Sequence, residues 1–169
     1  MIRKCVFAGS FDPPTTGHKY VADCALQMFD EVVIAIMVNT QKTGFLPVME
    51  RKKLLEKMYE NEPRVRVITF EGAAVDILAI EGTRFYVRGV RDCIDFEYEN
   101  RDLNASRMYM PGMIGIYIPA PEEGTHVSST LVRNCLHFGK DYTYMIPEEI
   151  RDEFEATLAR LGIKGESDV

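Results

Sequence analysis

Residues Lys4–His18 read KCVFAGSFDPPTTGH, and the reading of this stretch decides the fold. Lys4–Gly9 is a mainly apolar run that predicts a strand. Gly9 marks a turn, Ser10-Phe11-Asp12-Pro13 a short loop, and Thr15-Thr16-Gly17-His18 the entry to a helix. Beyond it Val21, Cys24, Ala25 and Met28 recur at helical spacing. A strand that passes through a glycine turn into a helix sets free N–H groups and the positive end of the helix dipole beside the strand's carboxyl end. That setting suits an anion. His18 falls on the first helical turn, where an imidazole can donate a hydrogen bond to a phosphate whose charge is changing. The plainer alternative is a surface or N-cap histidine with no chemistry.

Outward from this unit, strand and helix signals alternate. Glu31–Met37 (EVVIAIM) is an almost continuous apolar run, as expected of a buried parallel strand. Val48–Met58 predicts a helix with Arg51, Leu54, Leu55 and Met58 on one face. Val65–Phe70 reads as a strand, Ala74–Ile80 as a short apolar helix, and Phe85–Val87 as a strand ending at Arg88-Gly89. A polar helix is expected over Asp95–Met108 and a fifth strand over Ile114–Ile118. Ser128 is placed as the N-cap of a helix reaching about His137. The last helix takes Pro147 into its first turn, carries Ile150, Phe154, Leu158 and Leu161 on one face, and stops at Gly162.

Five strands interleaved with helices predict an α/β fold, a doubly wound, mostly parallel five-stranded sheet with helices on both faces. Residues 1–163 are expected to form a single domain and 164–169 a flexible tail. Ligands of such sheets bind beyond the carboxyl ends of the strands, near the reversal of strand order. The segments to inspect are therefore Gly9–Asp12, Asn39–Lys42, Gly72–Ala74, Arg88–Arg91 and Pro119–Ser129.

Composition narrows the function. The 169 residues are 46% hydrophobic and 27% charged, in the range of a soluble globular domain with a sizeable core. No apolar run approaches the ~18 residues of a membrane span. The N-terminal apolar stretch reads as a strand, not as a signal peptide. The net charge of −6 argues against general nucleic-acid binding but not against a small phosphorylated ligand. Cys5, Cys24, Cys93 and Cys135 form no CxxC, and with three scattered histidines a zinc site is disfavoured. Free thiols fit a cytoplasmic setting.

Several constellations suit anions. Arg88-Gly89-Val90-Arg91 follows the fourth strand, with two guanidinium forks about a glycine at which the backbone is expected to turn. The alternative is two surface arginines paired with Asp92, Asp95 or Glu97. Lys42 stands in a polar loop after the second strand, where solvation alone is the plain alternative. Ser128, Ser129 and Thr130 open a helix with three hydroxyls, more than one cap requires. Asp95 and Glu99 share a helical face, as a carboxylate pair for a metal or a ribose hydroxyl, or simply as a solvated face. Four anion-friendly positions at the ends of different strands point to a nucleoside triphosphate. The glycine pattern is neither GxxxxGK[ST] nor GxGxxG, so a P-loop and a dinucleotide dehydrogenase are disfavoured.

Taken together these motifs resemble the phosphopantetheine adenylyltransferase family, of the nucleotidyltransferase superfamily marked by HxGH and ISSTxxR. The first motif stands as Thr15-Thr16-Gly17-His18 within GSFDPPTTGH, the second as Val127-Ser128-Ser129-Thr130-Leu131-Val132-Arg133. Between them lies Arg88-Gly89-Val90-Arg91, followed by Asp95-Phe96-Glu97-Tyr98-Glu99. The resemblance implies a Rossmann-like nucleotidyltransferase fold. It also implies transfer of AMP from ATP to 4′-phosphopantetheine, giving dephospho-CoA and pyrophosphate, with Mg2+ carried by the ATP phosphates and no metal held by side chains.

Residue by residue, the resemblance makes His18 the transition-state stabiliser, with Lys42 and Arg91 beside it in catalysis. Ser10, Phe11, His18, Gly89, Val90, Arg91 and Glu99, with Gly124, Thr125, His126, Val127, Ser128, Ser129 and Thr130, would hold ATP. Ser10, Lys42, Ala74 and Arg88 would hold phosphopantetheine. It further implies a cytoplasmic homohexamer with CoA as a candidate feedback ligand.

The departures from the family pattern gather on the acceptor side. Ser10 replaces the usual threonine, Ala73 and Ala74 replace bulky apolar residues, and Asp102, Ala105, Ser106 and Asn134 also differ. Gly124 stands where an aromatic residue near the adenine is common. Two further readings stay open on the sequence: a nucleotidyltransferase of the same superfamily with another phosphorylated acceptor, and a catalytically silent ATP- or CoA-binding module. A flavin phosphate carrier lacks an aromatic pair to bracket the ring.

Overall fold

In the computed structural model, which describes residues 2–41 and 43–163, five strands form one sheet. They are β1 (Lys4–Gly9), β2 (Glu31–Met37), β3 (Val65–Phe70), β4 (Phe85–Val90) and β5 (Ile114–Pro119). Their order is β3-β2-β1-β4-β5, and all four pairings are parallel. The central strand β1 is sealed on both faces at Cys5, Val6, Phe7 and Ala8. This is why its sequence is continuously apolar rather than alternating.

Side chains of successive strand residues point to opposite faces, and two apolar layers follow. Cys5, Phe7, Val32, Ile34 and Ile36 face one layer. There they meet α1 (Thr16–Met28), α2 (Val48–Met58), α5 (Ser129–His137) and α6 (Arg151–Leu161). Val6, Ala8, Val33 and Ala35 face the other. That layer is closed by α3 (Ala74–Glu81) and α4 (Cys93–Ser106). Helices thus cover both faces, and the strand order reverses between β1 and β4.

Several boundaries differ from expectation, three of them with a clear physical reason or consequence. Helix α4 begins at Cys93 rather than Asp95, because the Asp92 carboxylate caps it by accepting the Asp95 N–H at 2.8 Å. Pro147 leads into a 3₁₀ turn, Glu148–Ile150, and α6 starts only at Arg151. Strand β4 does not stop at Arg88. Arg88, Gly89 and Val90 pair with Tyr117, Ile118 and Pro119 of β5, so the backbone runs straight through Gly89 where a turn was expected.

Gly89 is needed for a different reason, the close approach of α1. A Cβ there would sit 2.7 Å from Val21 Cγ2. Gly89→Ala is expected to cost about 1–3 kcal/mol, the usual scale of overpacking. Urea denaturation of the two proteins measures it. The expected tail, 164–169, lies outside the described residues.

Candidate active site

The loop from β1 to α1 is built by local chemistry. Thr15, 1% exposed, is the N-cap of α1, and its side chain accepts the His18 N–H at 3.4 Å. In return the Thr15 N–H donates to His18 Nδ1 at 3.0 Å. This is a capping box with histidine in the role usually taken by glutamate. Because Nδ1 accepts, the neutral ring carries its proton on Nε2. Burial pushes the His18 pKa down to about 4, and the charges of Arg88 and Arg91 add to the shift. His18 is therefore a neutral hydrogen-bond donor at physiological pH, with its orientation set by the helix cap.

A stability consequence follows from the sign of that shift. The unfolded chain binds the His18 proton near the ordinary value of 6.5, the folded chain only near 4. Between those values the unfolded state holds more protons, so this contribution is complete above about pH 6.5 and is lost as pH falls towards 4. Urea midpoints measured across that interval should fall less steeply in His18→Gln than in the native sequence.

At the β1/β4 reversal the strand ends and helix starts enclose a cleft of about 340 Å3. Gly9 and Ser10 enter from β1, His18 from α1, Arg88–Arg91 from β4, Glu99 from α4, and Val127–Thr130 from the start of α5. Gly124 also lines it. Three of the four anion-friendly segments thus come together in one place. The fourth, Lys42, lies outside the described residues.

The two arginines are already ion-paired. Arg91 Nε contacts Asp95 Oδ2 at 2.6 Å and its Nη2 contacts Oδ1 at 3.0 Å. That bond holds the Asp95 carboxyl below its usual range. Arg88 engages Glu99 through Nε and Nη2 and gives Nη1 to the Ala8 carbonyl. Of the partners proposed for these arginines only Asp95 is used, and Arg88 takes Glu99 instead. Asp95 and Glu99 consequently do not act as a carboxylate pair; each orients one guanidinium. A guanidinium has five N–H donors. Arg88 spends three of them on these contacts and Arg91 two side-chain donors on Asp95, so both keep donors for a phosphate.

The three hydroxyls of α5 also have separate duties. Ser128 Oγ caps the helix by accepting the Leu131 N–H at 3.1 Å. Ser129 Oγ donates to the Pro13 carbonyl at 2.7 Å. Thr130 Oγ1 accepts from Arg133 Nη2 at 3.0 Å, while Arg133 Nη1 donates to the Asp12 carbonyl at 2.5 Å. Ser129 and Arg133 therefore tie the start of α5 to the β1–α1 loop. Arg133 carried no role of its own in the sequence reading; its signal was a basic residue one turn inside a helix that opens on the cleft.

Four other residues named from the sequence stand apart from the side chains that line the cleft. Phe11 is fully buried, with its ring centroid 4.9 Å from that of His18; it forms a floor under the imidazole and offers a ligand only its backbone. Thr125 and His126 do not line the cleft. Thr125 Oγ1 donates to the Glu122 carbonyl at 3.3 Å, and His126 lies 5.9 Å from the Tyr144 ring. Ala74 begins α3, in the layer that also holds α4, the helix that carries Glu99.

The strand order and this cleft at its reversal define a class. The cytidylyltransferase-like family profile matches residues 6–135, and the protein is a nucleotidyltransferase. A solved structure from Vibrio parahaemolyticus, described as a nicotinate-nucleotide adenylyltransferase, shares the fold, with a TM-score of 0.65 at 21% identity over 92% of this chain and 99% of that one. The phosphopantetheine adenylyltransferase of Christiangramia forsetii is 36% identical over 89% of this chain and 99% of its own. That of Phocaeicola vulgatus is 38% identical over 89% and 99%, and that of Anaeromyxobacter dehalogenans 34% over 95% and 98%. The chain belongs to the phosphopantetheine adenylyltransferase family.

Proposed function

We propose that the protein transfers AMP from ATP to 4′-phosphopantetheine, releasing pyrophosphate and forming dephospho-CoA. The observation that carries this reading is the cleft at the β1/β4 reversal, where a neutral imidazole donor, two oriented guanidinium groups and a helix N-terminus converge. Nucleotidyl transfer proceeds by in-line attack of the acceptor phosphate on the α-phosphorus, and its main demand is positioning and neutralisation of spreading charge. No side chain need act as nucleophile. His18 Nε2–H donates to the α-phosphate oxygens as they gain charge. Arg91, the amides of the β4 end and those of the α5 start hold the triphosphate, and Arg88 and Ser10 face the acceptor phosphate, with Lys42 assigned to the same group.

Among the described residues no group of three or more His, Cys, Asp or Glu side chains is gathered for a metal. Magnesium would instead be brought on the ATP phosphates, where it would offset their negative charge. Pyrophosphate release with ATP and phosphopantetheine, with and without magnesium, tests the assignment. ATP binding without release would support a silent module instead.

The acceptor half predicts its own selectivity. Ala73, Asp102 and Ala105 are exposed and offer the pantetheine arm little apolar cover. Each buried methylene forgone is worth about 0.8 kcal/mol. Hence the phosphate carries most of the recognition. Pantetheine, which lacks it, should be almost inert, whereas 4′-phosphopantothenate should keep measurable kcat/KM; equal loss with both would place recognition in the arm.

We also propose a cytoplasmic homo-oligomer. Ile94 and Tyr98 on α4, with Met108 and Tyr109 after it, are exposed and favour self-association, and all four cysteines are free, as in a reducing compartment. No helix among the described residues is long and apolar enough to cross a membrane. Light scattering should give a multiple of the 19.3 kDa chain.

A further inference from the structure

Arg51 sits on the apolar face of α2 with Leu54, Leu55 and Met58, and only 6% of it is exposed. An arginine in such a stripe is costly to bury, and a leucine or methionine there would satisfy packing at less cost. Its side chain is 8% exposed. Nη1 donates to the Ser10 carbonyl at 2.9 Å. Nε faces Asp12 Oδ1 at 3.9 Å, beyond hydrogen-bond range, and is buried without a partner among the described residues.

Asp12, also buried, accepts the N–H groups of Phe45 at 2.7 Å and Leu46 at 2.8 Å. The chain crosses this ion pair at Gly44, where a Cβ would stand 3.0 Å from both Arg51 Nη2 and Asp12 Oδ2. One guanidinium and one carboxylate therefore join three segments: the β1–α1 loop, the β2–α2 loop and helix α2. Between Ser10 and Asp12 lies Phe11, held at φ +48°, the left-handed region that non-glycine residues avoid. Its ring is the floor beneath His18.

We propose that Arg51 is a positioning residue for the transfer reaction, a clamp that fixes the Ser10–Asp12 backbone and through Phe11 the His18 imidazole. It touches no reacting atom. Its chain of action runs from Nη1 to the Ser10 carbonyl, from Ser10 to the constrained Phe11 backbone, and from the Phe11 ring to the imidazole. The same ion pair holds the Gly44–Leu46 segment of the β2–α2 loop.

This inference rests on the proposed reaction for its kinetic arm, and a second arm is independent of it. Arg51→Met keeps the apolar stem and removes the clamp. It is expected to lower kcat at least about tenfold, as small displacements of positioned groups do, with the ATP dissociation constant changed by less than about threefold. Arg51→Lys, which keeps a donor for Ser10, should recover part of kcat. In the second arm, NMR titration of the His18 ring, assigned against His18→Ala, should move up towards 6.5 in Arg51→Met as Phe11 releases the imidazole to water.

Unchanged kcat and an unchanged His18 titration in folded Arg51→Met overturn the clamp. Absence of turnover in the native sequence sinks the proposed reaction, and the titration then decides the clamp alone. If Arg51→Met fails to fold, Gly44→Ala, which wedges the ion pair from outside, takes its place with the same two readouts.

Discussion

His18→Ala is expected to lower kcat by at least about a hundredfold, the scale for one donor aimed at developing charge, while the ATP dissociation constant changes by less than about threefold. The asymmetry follows from geometry. The imidazole is locked by the Thr15 cap and the Phe11 ring, so it is preorganised. Its hydrogen bond strengthens only when the α-phosphate oxygens gain charge, which is a contribution to the transition state and not to ground-state binding. Because the ring is already neutral, with its pKa near 4, kcat should show no limb from His18 between pH 6 and 8. Turnover by pyrophosphate release and ATP affinity by calorimetry give the two numbers. A variant with near-native turnover would remove His18 from the mechanism.

The second large effect is expected at Arg88. Arg88→Lys should raise the KM for phosphopantetheine at least about tenfold and leave ATP affinity nearly unchanged, whereas Arg91→Lys should do the reverse. Lysine keeps the charge but cannot span both Glu99 oxygens, reach the Ala8 carbonyl and still present a fork to phosphate. Lysine is the cleaner substitution, since alanine would also strand the Glu99 carboxylate, only 14% exposed. Equal and small effects of both substitutions on both ligands would make the pairs with Glu99 and Asp95 purely structural.

The architecture was legible because the elements announce themselves locally. Strands β1, β2 and β3 and helix α2 fall on the residues expected of them, since a parallel strand buried on both faces must be continuously apolar. The same holds for the start of α5: Ser128 is readable as a cap because an N-cap needs a short side-chain acceptor at that one position. The cleft could be placed in outline from strand ends alone, by the rule that ties ligand sites to the reversal of strand order.

Partnerships across the chain were not legible. Whether Arg88 meets Glu99 or another carboxylate depends on how α4 lies against β4, and α4 itself starts two residues early because Asp92 caps it. Gly89 invited a turn, yet it lies within a strand and makes room for Val21 of a helix far away in sequence. Phe11 could be named from its place in the loop, but only the fold puts its buried ring beneath His18. Arg51 read as one member of a helical face, and only the folded chain brings it to Ser10 and Asp12.

Local chain stiffness, apolar periodicity and helix capping act over a few residues, so the sequence by itself determined the elements, their alternation and the first turn that carries His18. Which charges pair, which ring seals and which glycine yields to a neighbour depend on distances between elements far apart in the chain. Those distances are set by packing of the two apolar layers against the sheet, and only the tertiary structure decided them.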